Sequence, residues 1–174
     1  VVLAWLTPDG EAAEMHKSKA RELVKGKNEN SNLMVSLFDI DLPAGEERRA
    51  KRHEIWSKMH EIEPDGWFIH YYYATTKPTP KERIDELKVL LDKNKSSGAS
   101  YAHILNMLGY LHYGEDEKAA ATSYFDKYLE AYPEGYNPLD SMGEFYFNEK
   151  EYETALKYYE NALEKFPFSV SATS

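Results

Sequence analysis

The chain has 174 residues, 42% of them hydrophobic, with 21 lysines and arginines against 30 aspartates and glutamates, for a formal charge of −9. Its mean hydropathy is −0.68 and no run approaches the roughly eighteen apolar residues of a membrane helix, while the acidic balance argues against nucleic acid, whose phosphates need clustered cations. The absence of cysteine removes disulfides, thiolate metal sites and cysteine nucleophiles.

The chain opens on VVLAWL at 1–6, too short for a signal peptide and with no basic region in front. Its first residue is valine, as expected of a trimmed or processed chain. GEAAEMHKSKARELVKGKN at 10–28 reads as a helix, the second of a hairpin whose first helix is missing or replaced by VVLAWL. NSNLMVSLFDIDLP at 30–43 and GEERRAKRHEIWSKMHEIEP at 45–64 form the next hairpin, with Ile55, Trp56, Met59 and Ile62 facing inward. Its basic run, RRAKRH at 48–53, is flanked by Glu46, Glu47 and Glu54 and reads as a solvated face. DGWFIHYYYATTKP at 65–78 and TPKERIDELKVLLDKN at 79–94 form a third, with Ile84, Leu87, Leu90 and Leu91 on one face. Its terminator is KNKSSG rather than proline; Asn94-Lys95-Ser96 there fits the glycosylation pattern, which is common by chance.

The clearest periodicity lies at 136–167. Tyr152, Ala155, Leu156, Tyr159, Ala162, Leu163 and Phe166 recur at three- and four-residue steps, one apolar face of a helix. Leu139, Met142, Gly143 and Tyr146 do the same before the turn at FNEKEY. A shift of 34 residues superposes Gly109 on Gly143, Glu117 on Glu151, Ala121 on Ala155 and Tyr124 on Tyr158. It also superposes Leu129 on Leu163, Glu130 on Glu164 and Pro133 on Pro167. The chain therefore repeats itself. Glycine midway through the first helix allows close approach of a neighbour, and proline ends the second because it cannot donate the next hydrogen bond.

This pattern resembles the tetratricopeptide repeat, a helix–turn–helix unit of about 34 residues. The matching positions are Leu139, Met142, Gly143, Tyr146, Ala155, Tyr159, Ala162 and Pro167 in the last repeat. In the one before they are Leu105, Leu108, Gly109, Ala121, Phe125 and Pro133, with departures at His112, where an aromatic is usual, and Tyr128, where a small residue is usual. The resemblance implies an all-α fold, a right-handed superhelical solenoid of about four and a half stacked hairpins. Degenerate hairpins would occupy 1–99 and two well-formed repeats 100–174, at about 102–135 and 136–169. The chain ends on FPFSVSATS, so either residues 168–174 fold back as a poor cap, or the last apolar face meets another chain, or the natural protein continues.

Chemistry is thin. None of the six histidines pairs at the i, i+4 spacing of a helical metal site, and no nucleophile elbow or phosphate loop is present. Ser141 lies between carboxylates in DSMGE, but on the first helix of a repeat. No enzyme activity, catalytic residue, metal or cofactor is expected.

In the family resembled, the first helix of each repeat lines a concave groove. Carried over, those positions are His103, Asn106, Tyr110, Tyr113 and Gly114, then Asn137, Asp140, Glu144, Phe147 and Asn148, with Phe68 and Tyr71 upstream. Tyrosine and asparagine offer rigid contact area with hydrogen bonds at low entropic cost, although the same tyrosines could simply fill space between helices. Asp140 and Glu144 stand where cations would be needed to hold an acidic chaperone tail, so a basic or neutral partner is expected. The leading expectation is a scaffold that binds a protein or peptide and performs no chemistry, with self-association through its uncapped ends as a further route. Two rivals are a non-catalytic module of a larger bacterial hydrolase, from the wording NPLDSMGEFYF, and a glycan- or small-ligand-binding envelope protein. The composition resembles that of Bacteroides-type bacteria, and the compartment is open between periplasm and cytoplasm.

Overall fold

The computed structural model describes residues 10–94 and 98–167. Among them lie nine α-helices and one 3-10 turn, and no strand. The helices are α1 (Glu11–Val24), α2 (Glu29–Ser36), α3 (Glu46–Ile62), α4 (Trp67–Thr75), α5 (Pro80–Lys93), α6 (Ala99–Gly114), α7 (Lys118–Ala131), α8 (Tyr136–Asn148) and α9 (Tyr152–Lys165). Nine helices are what four and a half hairpins require, and the all-α expectation holds. The features expected at 1–6, at Lys95-Ser96 of the glycosylation pattern and at 168–174 lie outside the described residues. The chain divides into two compact units, one ending at Arg83 and the other beginning at Ile84; the division falls inside α5.

In the first unit two helices start on a side-chain cap. Asn28 caps α2, its side-chain oxygen accepting from the Ser31 N–H at 2.9 Å. Thr79-Pro80-Lys81-Glu82 is a reciprocal capping box. The Thr79 N–H donates to Glu82 Oε2 at 3.0 Å and the Glu82 N–H to Thr79 Oγ1 at 3.2 Å. Pro80 at the first helical position loses no bond. The core joins α2, α3 and α4 around Trp56, which is fully buried with Ile55, Met59 and Ile69 and packed by Leu33, Met34 and Leu37. Trp56 stacks on Tyr72 at 4.8 Å and meets the edge of Phe68 at 5.9 Å. Ile62, expected to face inward, is 48% exposed. It is the last residue of α3, at the level where α2 begins with Glu29 and Asn30, which offer no apolar cover.

The second unit repeats itself atom by atom. At the end of α6 the Asp116 N–H bonds the Tyr113 carbonyl at 3.0 Å and the Glu117 N–H bonds the His112 carbonyl at 2.9 Å. At the end of α8 Lys150 bonds Phe147 at 3.0 Å and Glu151 bonds Tyr146 at 2.9 Å. Both are Schellman closures, with Asp116 (φ 61°) and Lys150 (φ 65°) in the left-handed conformation. Gly109 allows the Phe125 ring so close that a Cβ would lie 2.5 Å from it, and Gly143 does the same for Tyr159 at 2.6 Å. His112 is buried and stacks on Tyr124 at 5.2 Å, as Tyr146 stacks on Tyr158 at 5.5 Å one repeat later. The imidazole thus fills an aromatic position, with Nδ1 held by the Glu117 carboxylate. The departure at Tyr128 is compensated too. Its ring packs on Ala102 and Leu105, whereas the positions equivalent to Ala102 and Tyr128 hold Tyr136 and Ala162. The large and small partners have traded places.

The prolines close four-residue turns between repeats. Gly66 N–H bonds the Glu63 carbonyl across Pro64 at 3.3 Å, and Gly135 N–H bonds the Tyr132 carbonyl across Pro133 at 3.1 Å. Proline at the second turn position presets the required φ.

Candidate functional site

Helices α6 and α8 open successive repeats, and their equivalent positions stand side by side. The Ser141 hydroxyl donates to Asn106 Oδ1 at 3.0 Å. One turn on, the Tyr110 hydroxyl donates to Glu144 Oε2 at 2.6 Å. A further turn on, the Tyr113 hydroxyl donates to Glu149 Oε1 at 3.1 Å while Lys118 Nζ donates to Glu149 Oε2 at 2.7 Å. Three polar rungs therefore tie one repeat to the next, above an apolar seam of Ala121, Phe125, Met142 and Phe145.

The electrostatics follow from these contacts. Burial, and then the hydrogen bond to Glu144, push the Tyr110 phenol above its ordinary value. Tyr113 shifts the same way, from desolvation and then from Glu149. The Lys118 ammonium holds the Glu149 carboxyl below the usual carboxylate range, and Glu149 in turn raises Lys118. A charged or hydrogen-bonded pair of this kind favours the protonation states that hold it together.

The residues expected to line a groove separate into two groups. Asn106, Tyr110, Tyr113 and Glu144 belong to the rungs. Their side chains are partly committed to joining repeats, although Glu144 remains exposed. His103 and Asn137 are exposed on α6 and α8, Asp140 is half-buried, and Phe147 is 54% exposed with its ring edge-on to Tyr152 at 5.5 Å. Gly114 and Asn148 are exposed at the helix ends. Tyr71 lies in the other unit, 4% exposed and stacked on Trp67 at 5.5 Å; Phe68 beside it is 41% exposed.

Sequence reasoning missed Ser141, Glu149 and Lys118 as partners of the expected residues. Ser141 was read only against a nucleophile's role; its position, one turn from Glu144 on the same helix face, was the available signal. Glu149 and Lys118 sit at opposite ends of a contact 31 residues apart, which no single-repeat pattern shows. Among the described residues no group of three or more histidines or carboxylates stands together as a metal site, and no helix is long and apolar enough to cross a membrane.

Residues 140–169 match the family model of the tetratricopeptide repeat. The matched segment holds Ser141, Glu144 and Glu149, one side of all three rungs, while Asn106, Tyr110, Tyr113 and Lys118 on the other side precede it. Two solved structures are similar to the chain as a whole. One, of MamA, has a TM-score of 0.60 and 17% identity over 91% of this chain and 96% of its own. Another, of MamA protein, has a TM-score of 0.58 and 20% identity over 89% and 81%. At these identities the likeness carries the fold alone, an all-helical array. No curated protein matches the sequence.

Proposed function

We propose that the protein is a non-enzymatic helical-repeat scaffold that binds a protein or peptide along the face formed by α6 and α8. The observation that carries this reading is Phe147, a large apolar side chain 54% exposed one turn from the exposed carboxylate of Glu144 on the same helix. An apolar anchor rimmed by hydrogen-bonding groups is how a recognition surface is usually built. The rungs beneath it keep that face in one shape, which lowers the ordering cost of binding. Asp140 and Glu144 make it acidic, so the favoured partner is basic or neutral.

The test is a peptide library presented to the intact chain. Retained peptides should be enriched in lysine and arginine over aspartate and glutamate. Retention should fall about tenfold in Phe147→Ala, with an unchanged helical spectrum. Equal retention by the variant would sink the assignment of this face.

A further inference from the structure

A cleft of about 510 Å³ opens in the first unit, where the end of α1 and the start of α2 meet the end of α3 and the start of α4. Its floor is apolar and polarisable: Met34, Met59, Trp67 and Phe68 line it. Its polar wall holds Asn30 and Glu63, with Asn28 and Ser31 beside them already joined through the helix cap. The Asn30 Nδ2 donates to Glu63 Oε2 at 3.2 Å. That bond fixes the amide, because the flipped form would set Oδ1 against a carboxylate. Asn30 Oδ1 is consequently an acceptor, and it is buried with no hydrogen-bond partner. A buried polar atom in that state is costly and calls for an explanation.

Glu63 is held in place from its other side. It precedes Pro64 in the turn that ends α3, and its carboxylate folds back over Gly66. A Cβ on Gly66 would lie 2.8 Å from Glu63 Oε1, so a side chain at residue 66 would push the carboxylate out of this position. The polar wall thus offers a carboxylate and an amide oxygen as acceptors above aromatic faces and thioethers.

We propose that this cleft binds the cationic head of an organic amine or guanidine carried on an apolar stem, as in a lysine or arginine side chain. The N–H donors would satisfy Asn30 Oδ1 and pair with Glu63, where charge-assisted bonds are strong. The stem would lie on Met34 and Met59 and the cation beside the Trp67 and Phe68 rings. The volume is within the range of small-ligand sites, and the chain's charge of −9 draws cations toward it. The site is independent of the α6/α8 face, which lies in the other unit.

Two-dimensional NMR of the full chain tests it, following the Trp67 indole and Asn30 amide signals. The probes are an acetylated, amidated Ala-Lys-Ala peptide, its norleucine counterpart, and n-butylamine. The lysine peptide should shift both signals in a saturable way, and the norleucine peptide should bind at least about tenfold more weakly. A lysine peptide tighter than butylamine would point to a partner's side chain, and equal affinity to a free amine; either supports the site. Glu63→Gln should weaken lysine binding about tenfold. Gly66→Ala should do so as well while keeping the charge, because it displaces the carboxylate. Norleucine binding as well as lysine, no saturable shift up to about 10 mM, or wild-type affinity in both variants would overturn the proposal. If a variant does not fold, the lysine–norleucine comparison on the wild type still decides.

Discussion

Tyr110 and Glu144 occupy the same position of successive repeats, 34 residues apart, and are joined by a hydrogen bond of 2.6 Å from the tyrosine hydroxyl to Glu144 Oε2. A position expected to face a partner thus also holds one repeat to the next. Tyr110→Phe removes the hydroxyl and keeps the ring, which meets the edge of Phe125 at 5.1 Å. The expected loss is about 1 kcal/mol of unfolding free energy, read by denaturant melts with an unchanged slope. An unchanged midpoint would show that the rung is solvent-exchanged and carries no net stability.

The two glycines of the repeat offer a finer comparison. Alanine in a helix interior gains about 1 kcal/mol over glycine, but at each site its Cβ meets a ring. At Gly109 the ring is Phe125, fully buried and wedged between Tyr110 and Phe145. At Gly143 it is Tyr159, a partly exposed ring outside the buried cluster that holds Phe125. Overpacking a locked core costs about 1–3 kcal/mol. Gly109→Ala should therefore destabilise, and Gly143→Ala should fall near neutral, when both are melted side by side. Equal effects would mean that the Phe125 pocket yields as readily as the exposed ring.

How much of this was legible beforehand depended on what a side chain had to do. Positions whose role is local could be read directly. Gly109, Gly143 and the Tyr124/Tyr158 pair follow from the 34-residue shift because each acts within one hairpin. The buried face of α5 likewise follows from spacing alone, whereas on α9 only Ala155 and Ala162 of the apolar stripe are buried and Tyr152, Leu156 and Phe166 stand 57%, 58% and 41% exposed. Roles settled between repeats were not legible. Nothing in the order of residues says that Ser141 reaches Asn106 or that Glu149 serves both Tyr113 and Lys118; within one hairpin, the exchange of large and small at Tyr128 and Ala102 also shows only in the packing. His112 looked like a departure and turned out to occupy the aromatic stack. The acceptor wall of Asn30 and Glu63 was equally hidden, since it joins residues 33 apart in the least regular part of the chain.

The Schellman closures carry a prediction of their own. Lys150 holds φ 65°, a conformation that costs an ordinary side chain roughly 1–2 kcal/mol and glycine little. Part of that gain is returned through the greater freedom of glycine in the unfolded chain. Lys150→Gly should still stabilise by about 0.5–1 kcal/mol, seen as a rise in the melting temperature. Asp116, at φ 61°, should respond in the same direction but by less, because its carboxylate lies 3.9 Å from Lys118 and because aspartate tolerates this conformation better than lysine. A fall in stability at Lys150 would mean that its side chain makes a contact worth more than the relieved strain.

Alkali should find the tyrosines before it finds anything else. Burial pushes Tyr128 up to about 12, and burial first of all raises Tyr71 and Tyr110 as well. In the unfolded chain these phenols ionise near about 10. Above that value the unfolded chain releases protons that the folded chain retains, so the unfolded state is favoured. The stability these groups contribute is therefore complete below about pH 10 and is lost as pH rises toward their folded values. Absorbance near 295 nm, followed together with far-ultraviolet ellipticity, should show one set of phenols ionising with the helices intact and a second set ionising only as they melt. Tyr110→Phe should lessen the fall in melting temperature between about pH 9 and 11. If all fourteen tyrosines ionised in one step near the free value with ellipticity unchanged, the burial of Tyr71, Tyr110 and Tyr128 would be refuted together.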